Sequence, residues 1–252
     1  MPDVFFCEII ENKLLTDAVY SITVVSRELA RETAAGQFLH IGCGEARLLR
    51  RPISICSVQG DEIRFVFEVK GEGTKWLSNC NRGRILNILG PLGAGYKIPE
   101  GKIITVGGGV GTPPLLFAAE SAMQKPTAIL GFRCADRVIL VDEFKAACDE
   151  VYITTDDGSV GIHGIVTNPL EDLLKKGGYS TVMSCGQLIM QKSVADLCAR
   201  YNIPCQVSIE ERMGCGVGAC LVCVCKTIQD GKVQMSRVCA DGPVFDSTQV
   251  VW

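Results

Sequence analysis

No stretch of the chain is apolar for long enough to span a membrane. A span needs about 20 consecutive apolar residues, and the most apolar stretch, residues 103–119, is interrupted by four glycines and two prolines. The N-terminus has no basic segment followed by an apolar one, so we expect no secretory signal. These features favour a cytoplasmic protein with no membrane partner.

An excess of positive charge is also absent. The chain has 25 Lys and Arg against 28 Asp and Glu, a formal net charge of −3. Proteins that bind nucleic acid need positive charge against the phosphate backbone, so we expect no nucleic-acid partner. The composition, 47% hydrophobic and 21% charged, is typical of globular rather than disordered chains.

Cysteine is the abundant exception, with 14 in 252 residues. This share stays below the ~8–10% of small disulfide scaffolds, and the chain is too long for that class. In a reducing compartment a cluster of cysteines more often indicates a metal site than disulfides. The position of the clustered cysteines therefore decides the interpretation.

The hydrophobic pattern divides the chain into three segments. Residues 1–100 contain many short strands between turn residues, with one short helix near 74–79, which predicts an antiparallel β-barrel. Residues 101–209 alternate strands and helices, which predicts a doubly wound parallel sheet. Residues 210–252 are rich in Gly and Cys, without a helical period, and are too few to bury a core. Such a segment needs a metal for stability.

The C-terminal cysteines carry the most specific pattern. Cys215, Cys220 and Cys223 have the spacing C-x4-C-x2-C, and Cys239 follows. This is the spacing of plant-type [2Fe–2S] sites, in which thiolates converge on two irons. Zinc is the alternative, but structural zinc sites usually pair two C-x2-C knuckles. Cys225, two residues beyond Cys223, is expected to point away from the cluster.

A glycine-rich loop follows the first strand of the second segment and precedes a helix. This context favours a pyrophosphate site, because backbone N–H groups and the helix N-terminus face the anion. The loop is not the strict G-x-G-x-x-G fingerprint, and a structural turn stays open as an alternative. The residues concerned are Gly107, Gly108, Gly109, Gly111 and Thr112.

Two motifs in the barrel segment form a second candidate phosphate site. Arg51-Pro52-Ile53-Ser54 lies in a strand, and Gly73-Thr74 begins a short helix. An arginine facing a helix start can hold a diphosphate from two sides, although a surface arginine and a β-turn would give the same pattern. Cys185, at the end of a strand in the α/β segment, lies where such sheets bind ligands; a buried cysteine is the simpler reading.

Taken in order, these motifs resemble the ferredoxin–NADP reductase superfamily. The glycine and cysteine tail, residues 213–223 followed by 239–245, is similar to that of the electron-transfer subunits of type B dihydroorotate dehydrogenases. The resemblance covers the whole chain. It implies a flavin-binding barrel, a NAD-binding domain and a [2Fe–2S] module.

The resemblance also implies roles for single residues. FAD would be held by Arg51, Pro52, Ile53, Ser54, Gly73 and Thr74, with backbone contacts from Val66, Phe67 and Glu68. Arg51 would pair with the diphosphate, and Arg50 would matter little if its side chain is solvated. NAD would lie over Gly107–Thr112. The superfamily usually has Cys-Gly-Pro at this point, whereas this chain has Gln187 in place of the proline. That difference weakens a catalytic role for Cys185.

The implied function is electron transfer in pyrimidine biosynthesis. A catalytic partner subunit would oxidise dihydroorotate on its FMN, in a heterotetramer of two plus two subunits. Electrons would reach NAD through the cluster and FAD. No catalytic acid or base is expected, since His40 and His163 are isolated; Ser54 and Cys185 are candidates only for lying near the flavin and nicotinamide. The alternatives are a sulfide dehydrogenase or transhydrogenase small subunit, and a zinc-stabilised nucleotide-binding regulatory module.

Overall fold

The computed structural model describes residues 3–44 and 48–252. Met1 and Pro2, at the start of the segment that was searched for a secretory signal, lie outside the described residues. The described part forms a closed antiparallel barrel, a seven-stranded sheet with helices, and a two-stranded hairpin. The predicted combination of a β-barrel, a doubly wound sheet and a small C-terminal cysteine-bearing region is confirmed.

Six strands close the barrel in the order β1-β2-β5-β4-β3-β6. Residues alternate between its interior and its surface, and Ile22, Val24, Ile63 and Phe65 are among the side chains that fill the interior. This is the period-two pattern from which the strands were predicted. The strands are β1 (Asp3–Thr16), β2 (Val19–Val25), β3 (Phe38–Ile41), β4 (Arg51–Gln59), β5 (Glu62–Glu68) and β6 (Ile85–Leu92).

Two short helices interrupt the barrel. Helix α1 (Arg27–Glu32) was not predicted, because six residues are too few to display a helical period; Ser26 caps it by accepting a hydrogen bond from the Leu29 N–H. Helix α2 (Glu72–Ser78) begins two residues before the predicted start. Strand β1 is also much longer than the three apolar residues that predicted it.

The second domain is a parallel sheet with the strand order β10-β9-β8-β7-β11-β12. From β7, the chain adds β8, β9 and β10 on one side of the sheet and β11 and β12 on the other. The change of side creates a topological switch point between β7 and β11. Ligands bind at such a point, outside the carboxyl ends of the strands. The strands are β7 (Ile103–Gly108), β8 (Thr127–Phe132), β9 (Glu150–Thr155), β10 (Ile162–His163), β11 (Thr181–Cys185) and β12 (Cys205–Ser208).

Four helices cover the faces of this sheet: α3 (Pro113–Glu120), α4 (Val141–Ala147), α5 (Thr167–Lys176) and α6 (Leu188–Arg200). Apolar side chains on both faces of the sheet are buried, Ile103 and Ile104 among them. In the sequence, strands that are covered on both faces appear as continuous apolar runs. Across the described residues, no helix is both long and apolar enough to cross a membrane.

The C-terminal segment joins the second domain through one strand. Strands β13 (Val224–Gln229) and β14 (Lys232–Arg237) form the separate hairpin, whereas β15 (Val244–Asp246) pairs antiparallel with β12. Cys223, Cys239 and Phe245 pack in one hydrophobic core with side chains of α6. The segment predicted as a module of its own therefore shares both a sheet and a core with the domain before it.

The barrel is also fixed to the second domain. Val66 of β5 is buried in the same cluster as Leu115 and Leu116 of α3. Beyond β6, the Tyr96 hydroxyl donates to the Ser184 carbonyl at 3.1 Å. These contacts hold the end of the barrel next to the carboxyl edge of the parallel sheet.

Candidate cofactor and cluster sites

The four cysteines of the C-terminal motif lie in two pairs. The Cys215 N–H donates to Cys220 Sγ at 3.4 Å, and the side chains of Cys223 and Cys239 are buried in the same hydrophobic core. Cys220 is exposed and Cys215 half-buried, whereas Cys223 and Cys239 are buried. One pair therefore faces solvent and the other faces the shared core.

Backbone N–H groups of the loop converge on the sulfur atoms. Three of them, from Val217, Ala219 and Cys220, point at Cys215 Sγ over 3.3–3.4 Å, and the Gly218 N–H donates to Cys239 Sγ at 3.1 Å. Burial acts to raise the pKa of the Cys215 thiol, but these N–H groups and the Cys220 thiol outweigh it and lower that pKa to about 6. The loop thus stabilises negative charge on the Cys215 sulfur.

The cysteine loop leans on the barrel at Gly216. Gly216 has φ +76°, and a Cβ there would lie 2.5 Å from Nδ1 of His40 on β3. The His40 ring is fully buried and faces the Cys215 backbone, although neither ring nitrogen makes a well-formed hydrogen bond among the described residues. Burial, and then Arg50, lower the pKa of His40 to about 4. The ring is therefore neutral at pH 7.

The paired arrangement fits a [2Fe–2S] cluster. Four thiolates bind two irons in such a cluster, with bridging sulfides between the irons, whereas zinc needs all four ligands around one point. Among the described residues, no three His, Cys, Asp or Glu side chains are grouped to hold a single metal ion. Cys225, opposite Ser236 in the hairpin, belongs to neither thiol pair.

In the barrel, Arg51 and Gly73 lie against each other. A Cβ at Gly73 would lie 2.5 Å from Arg51 Nε, so a larger residue there would displace the guanidinium from this position. The Thr74 hydroxyl accepts hydrogen bonds from the N–H groups of Lys70 and Gly71, at 2.9 and 3.2 Å, and so shapes the turn before α2. The two motifs predicted to form a phosphate clamp are therefore adjacent, and a guanidinium at this turn suits a diphosphate.

Arg50 was expected to matter little if its side chain is solvated. In the structure this side chain is half-buried and hydrogen-bonded within the barrel. Its Nη1 donates to the carbonyls of His40 and Asn87, at 3.1 and 3.0 Å, and its Nη2 donates to Asn87 Oδ1 at 2.6 Å. Arg50 thus ties β3 to β6. A sequence pattern could not separate the two neighbouring arginines, because the Arg50 partners are distant in the chain.

The other predicted flavin contacts divide by the direction of their side chains. Ile53 and Phe67 point into the barrel core, so only their backbone can face a ligand. Val66 packs toward the second domain, and Pro52, Ser54 and Glu68 are half-buried on the outer side of the strands. The Glu68 carboxylate forms two ion pairs, with Lys70 Nζ at 3.4 Å and with Arg137 Nη1 at 3.9 Å.

The glycine-rich loop lies at the switch point of the sheet. Gly107 and Gly108 end β7, a short 3₁₀ turn covers Gly109–Gly111, and Thr112 precedes α3. A Cβ on Gly111 would lie 2.5 Å from the Cys185 carbonyl oxygen, so the loop packs directly on the end of β11. Apart from its two chain neighbours, no atom of the described residues lies within 4 Å of the Cβ position of Gly109, which leaves open space above the loop.

Cys185 lies beside this loop and is buried. Burial, and then Glu210, raise the pKa of its thiol to about 12. The thiol is therefore protonated at neutral pH. The structure brings Cys185 to the candidate nucleotide site as a neutral, buried side chain.

A carboxylate lies beyond the ends of β8 and β9, at the same edge of the sheet. Asp157 follows β9, and its Oδ1 accepts from the N–H and hydroxyl of Ser159, at 3.0 and 2.6 Å. The Ser159 hydroxyl in turn accepts from the Ala135 N–H beyond β8. Hydrogen bonds from Ser159 lower the pKa of Asp157. A fixed negative charge therefore stands at the edge where the far end of a bound dinucleotide would lie.

Comparison with known proteins gives a consistent family. Residues 210–251 match the family model of the iron-sulfur cluster binding domain of dihydroorotate dehydrogenase B. The chain is 39% identical to the dihydroorotate dehydrogenase B (NAD(+)) electron transfer subunit of Caldanaerobacter subterraneus, with 97% of each chain covered. It is 40% identical to the subunit of the same name from Clostridium perfringens, with 95% of each covered.

A solved structure shows the same architecture over nearly the whole chain. The chain resembles a protein from the structure of the NADH-dependent reduced ferredoxin–NADP oxidoreductase, which was studied for flavin-based electron bifurcation. The TM-score is 0.87 at 30% sequence identity, and the match covers 98% of this chain and 90% of the other.

The adjacency of Arg51 and Gly73 generates a prediction for flavin affinity. If Arg51 binds the diphosphate, Arg51→Ala removes a charge-assisted hydrogen bond of ~1.5–3 kcal/mol. We expect FAD affinity to fall by roughly 10- to 150-fold, measured by titrating apoprotein with FAD and following flavin fluorescence. Arg50→Ala is the matched control. It should lower the free energy of unfolding by more than it weakens the free energy of FAD binding. Equal losses of FAD from both variants would contradict the assignment.

The thiol pairs generate a prediction for metal content. Cys220→Ser should remove the iron and acid-labile sulfide, because one iron loses a thiolate ligand. Most FAD should be retained, since Arg51 and Gly73 belong to the barrel. Cys225→Ser, which changes a neighbouring thiol outside both pairs, should keep iron and sulfide at the wild-type level. Chemical assay of iron, sulfide and flavin tests this, and equal cluster loss from both variants would refute the pairing.

Proposed function

The chain belongs to the family of electron-transfer subunits of dihydroorotate dehydrogenase B (NAD(+)), and on that basis we propose how its residues perform the transfer. Electrons leave a catalytic subunit that oxidises dihydroorotate and reach NAD through this chain. The observation that carries the proposal is the placement of four cysteines around a loop that shares a core with a nucleotide-type sheet and contacts the barrel.

The chemistry comes from three groups that this fold suits. When bound, a [2Fe–2S] cluster exchanges single electrons, FAD converts between single electrons and hydride, and NAD carries the hydride. The residues of the chain supply position and charge. The cluster is assigned to Cys215, Cys220, Cys223 and Cys239, whose sulfurs already accept hydrogen bonds from the loop.

FAD is assigned to the outer side of the barrel, where the barrel meets the second domain. Arg51, with Gly73 and Thr74 beside it, would bind the diphosphate. Pro52 and Ser54 and the backbone of Ile53, Val66, Phe67 and Glu68 would line the flavin. Since Val66 is packed at the domain junction, a ligand on this face lies next to the nucleotide domain.

NAD is assigned to the carboxyl edge of the parallel sheet. The open space above Gly109, framed by Gly107, Gly108, Gly111 and Thr112, would receive the pyrophosphate. The nicotinamide would then lie near the Cys185 turn, which packs on the loop. No proton transfer is required of the chain here, and the protonated thiol of Cys185 agrees with that.

The catalytic subunit is assigned to the surface around the exposed cluster ligand. Val217, Leu221 and Val222, beside Cys220, are 44%, 62% and 54% exposed. Apolar side chains in the open favour a protein partner, and electron transfer needs that partner close to the thiols. We propose an FMN-bearing subunit here, in a heterotetramer of two plus two. Fourteen cysteines and a thiolate-bound cluster suit a reducing compartment such as the cytoplasm.

The fixed carboxylate of Asp157 generates a prediction for nucleotide choice. A 2′-phosphate near this side chain would be repelled, whereas a 2′-hydroxyl can donate to it. We expect kcat/KM for NADH to exceed that for NADPH by roughly 10-fold or more. Asp157→Asn should narrow this ratio. Asp142→Asn, an exposed carboxylate on α4, should leave it unchanged. An equal or higher kcat/KM with NADPH in the wild-type chain would contradict the assignment.

The proposed function itself is tested by the division of labour between the subunits. Alone, the chain should reduce dyes with NADH but oxidise no dihydroorotate. With the FMN-bearing subunit, NAD-linked dihydroorotate oxidation should appear. In the same reconstituted complex, Cys220→Ser should abolish this coupled activity and spare dye reduction by NADH.

Cys225→Ser serves as the control and should keep both activities. Coupled turnover that survives loss of the cluster would show that electrons use another path. A complex that transfers electrons to NAD from another substrate, and none from dihydroorotate, would favour the sulfide dehydrogenase or transhydrogenase alternative.

A further inference from the structure

One buried amide is not explained by the sites described so far. Gln191 on α6 is only 1% exposed. Its Nε2 donates to the Gly186 carbonyl at 2.9 Å and to the Ser208 carbonyl at 2.8 Å. Because two carbonyl oxygens accept from the same NH₂ group, the orientation of the amide is determined.

The two carbonyls lie at the point where neighbouring strands separate. Cys185 of β11 and Ser208 of β12 form the last pair of their parallel register. Beyond this pair the chain from β11 turns into α6, whereas the chain from β12 continues toward the cysteine loop. Gln191 spans the gap between them, and a buried donor that satisfies two carbonyls is costly to remove.

Each carbonyl belongs to a different functional segment. Gly186 packs against the glycine-rich loop, since a Cβ at Gly111 would lie 2.6 Å from the Gly186 nitrogen. Ser208 precedes Ile209, whose N–H donates to the Pro243 carbonyl of the C-terminal segment at 2.9 Å. One side chain thus connects the candidate nicotinamide turn to the start of the segment that carries the cluster cysteines.

A second side chain, that of Met190, packs on the turn but has no hydrogen-bond donor: a Cβ at Gly186 would lie 2.8 Å from Met190 Cε. Gln187, which follows Gly186, is exposed and makes no capping hydrogen bond at the start of α6. Gly186 has φ +154°, a conformation open mainly to glycine, which is flexible when nothing else holds it. Among the described residues, the amide of Gln191 is therefore the side-chain hydrogen-bond donor to the Gly186 carbonyl.

We propose that Gln191 is a positioning residue for hydride exchange: it holds the Cys185–Gly186 turn against the nucleotide loop and in register with the cluster-bearing segment. The inference rests on the proposed function, because it takes the loop at Gly107–Thr112 as the NAD site. Transfer between two bound groups depends on their alignment, and small misplacements cost large factors in rate. Gln191 acts through the turn and does not touch the reacting atoms.

The test uses three variants of the full chain loaded with FAD and cluster. Gln191→Met keeps the length of the side chain and removes both donors, whereas Gln191→Asn keeps the amide but is too short to reach both carbonyls. Gln124→Met is the matched control, because Gln124 is an exposed glutamine of the same domain that donates to the Glu100 carbonyl. Each protein is assayed for flavin, iron and sulfide before kinetics.

We expect Gln191→Met to raise the KM for NADH by roughly 3- to 10-fold and to slow flavin reduction by NADH in stopped-flow experiments. Gln191→Asn should give a smaller change of the same kind. Reduction of the flavin by dithionite should be unchanged in all variants, since it does not use the turn. Gln124→Met should match the wild-type chain throughout.

Two outcomes would overturn the inference, and they differ from failure of the proposed function. A lower thermal midpoint with wild-type KM and flavin reduction rate would make Gln191 a structural residue only. Equal slowing of reduction by NADH and by dithionite would also refute a role through the turn. A wild-type chain that cannot reduce its flavin with NADH would instead refute the proposed function itself.

Discussion

The pairing of β15 with β12 is the constraint on which the cluster site depends. Segment 210–252 is too short to bury a core of its own, and its loop must still hold four sulfurs at fixed positions. Val244–Asp246 add a strand to the nucleotide-type sheet, and Cys223 and Cys239 enter the core beneath α6. The second domain therefore determines where the inner thiol pair lies.

The barrel fixes the same loop from the other side. The neutral ring of His40 fills the space that Gly216 leaves, and Arg50 ties the strand of His40 to β6. Strand β4, which begins with Arg51, is the neighbour of that strand. The cluster loop, the Arg51 motif and the nucleotide loop are thus parts of one packed unit, which suits a protein whose function depends on short distances between bound groups.

The sequence predicted those features that rest on local patterns. The alternation of strands and helices in residues 101–209 predicted the doubly wound sheet, and the cysteine spacing predicted a cluster in the segment that matches a cluster-binding family model. The six barrel strands followed from alternation. Their register and closure could not be read from the pattern, because pairing joins residues that are distant in the chain.

What escaped prediction is long-range. The three residues of β15 carry no signal of their own and become a strand only because β12 presents a free edge. Arg50 and Arg51 look alike in sequence, and their partners, Asn87 and Gly73, separate them only in the fold. No local sequence pattern marks Gln191 or His40, because their contacts form only when distant strands come together in the fold.

The central claim is that the two thiol pairs hold a redox cluster that exchanges electrons with a NADH-reduced flavin in this chain. The most direct measurement is electron paramagnetic resonance of the isolated protein, recorded before and after anaerobic addition of NADH, with iron and acid-labile sulfide counted in the same sample. The account predicts two irons and two sulfides per chain and a cluster signal that appears on reduction. One zinc per chain with no sulfide, or an iron–sulfur signal that NADH cannot elicit, would contradict it.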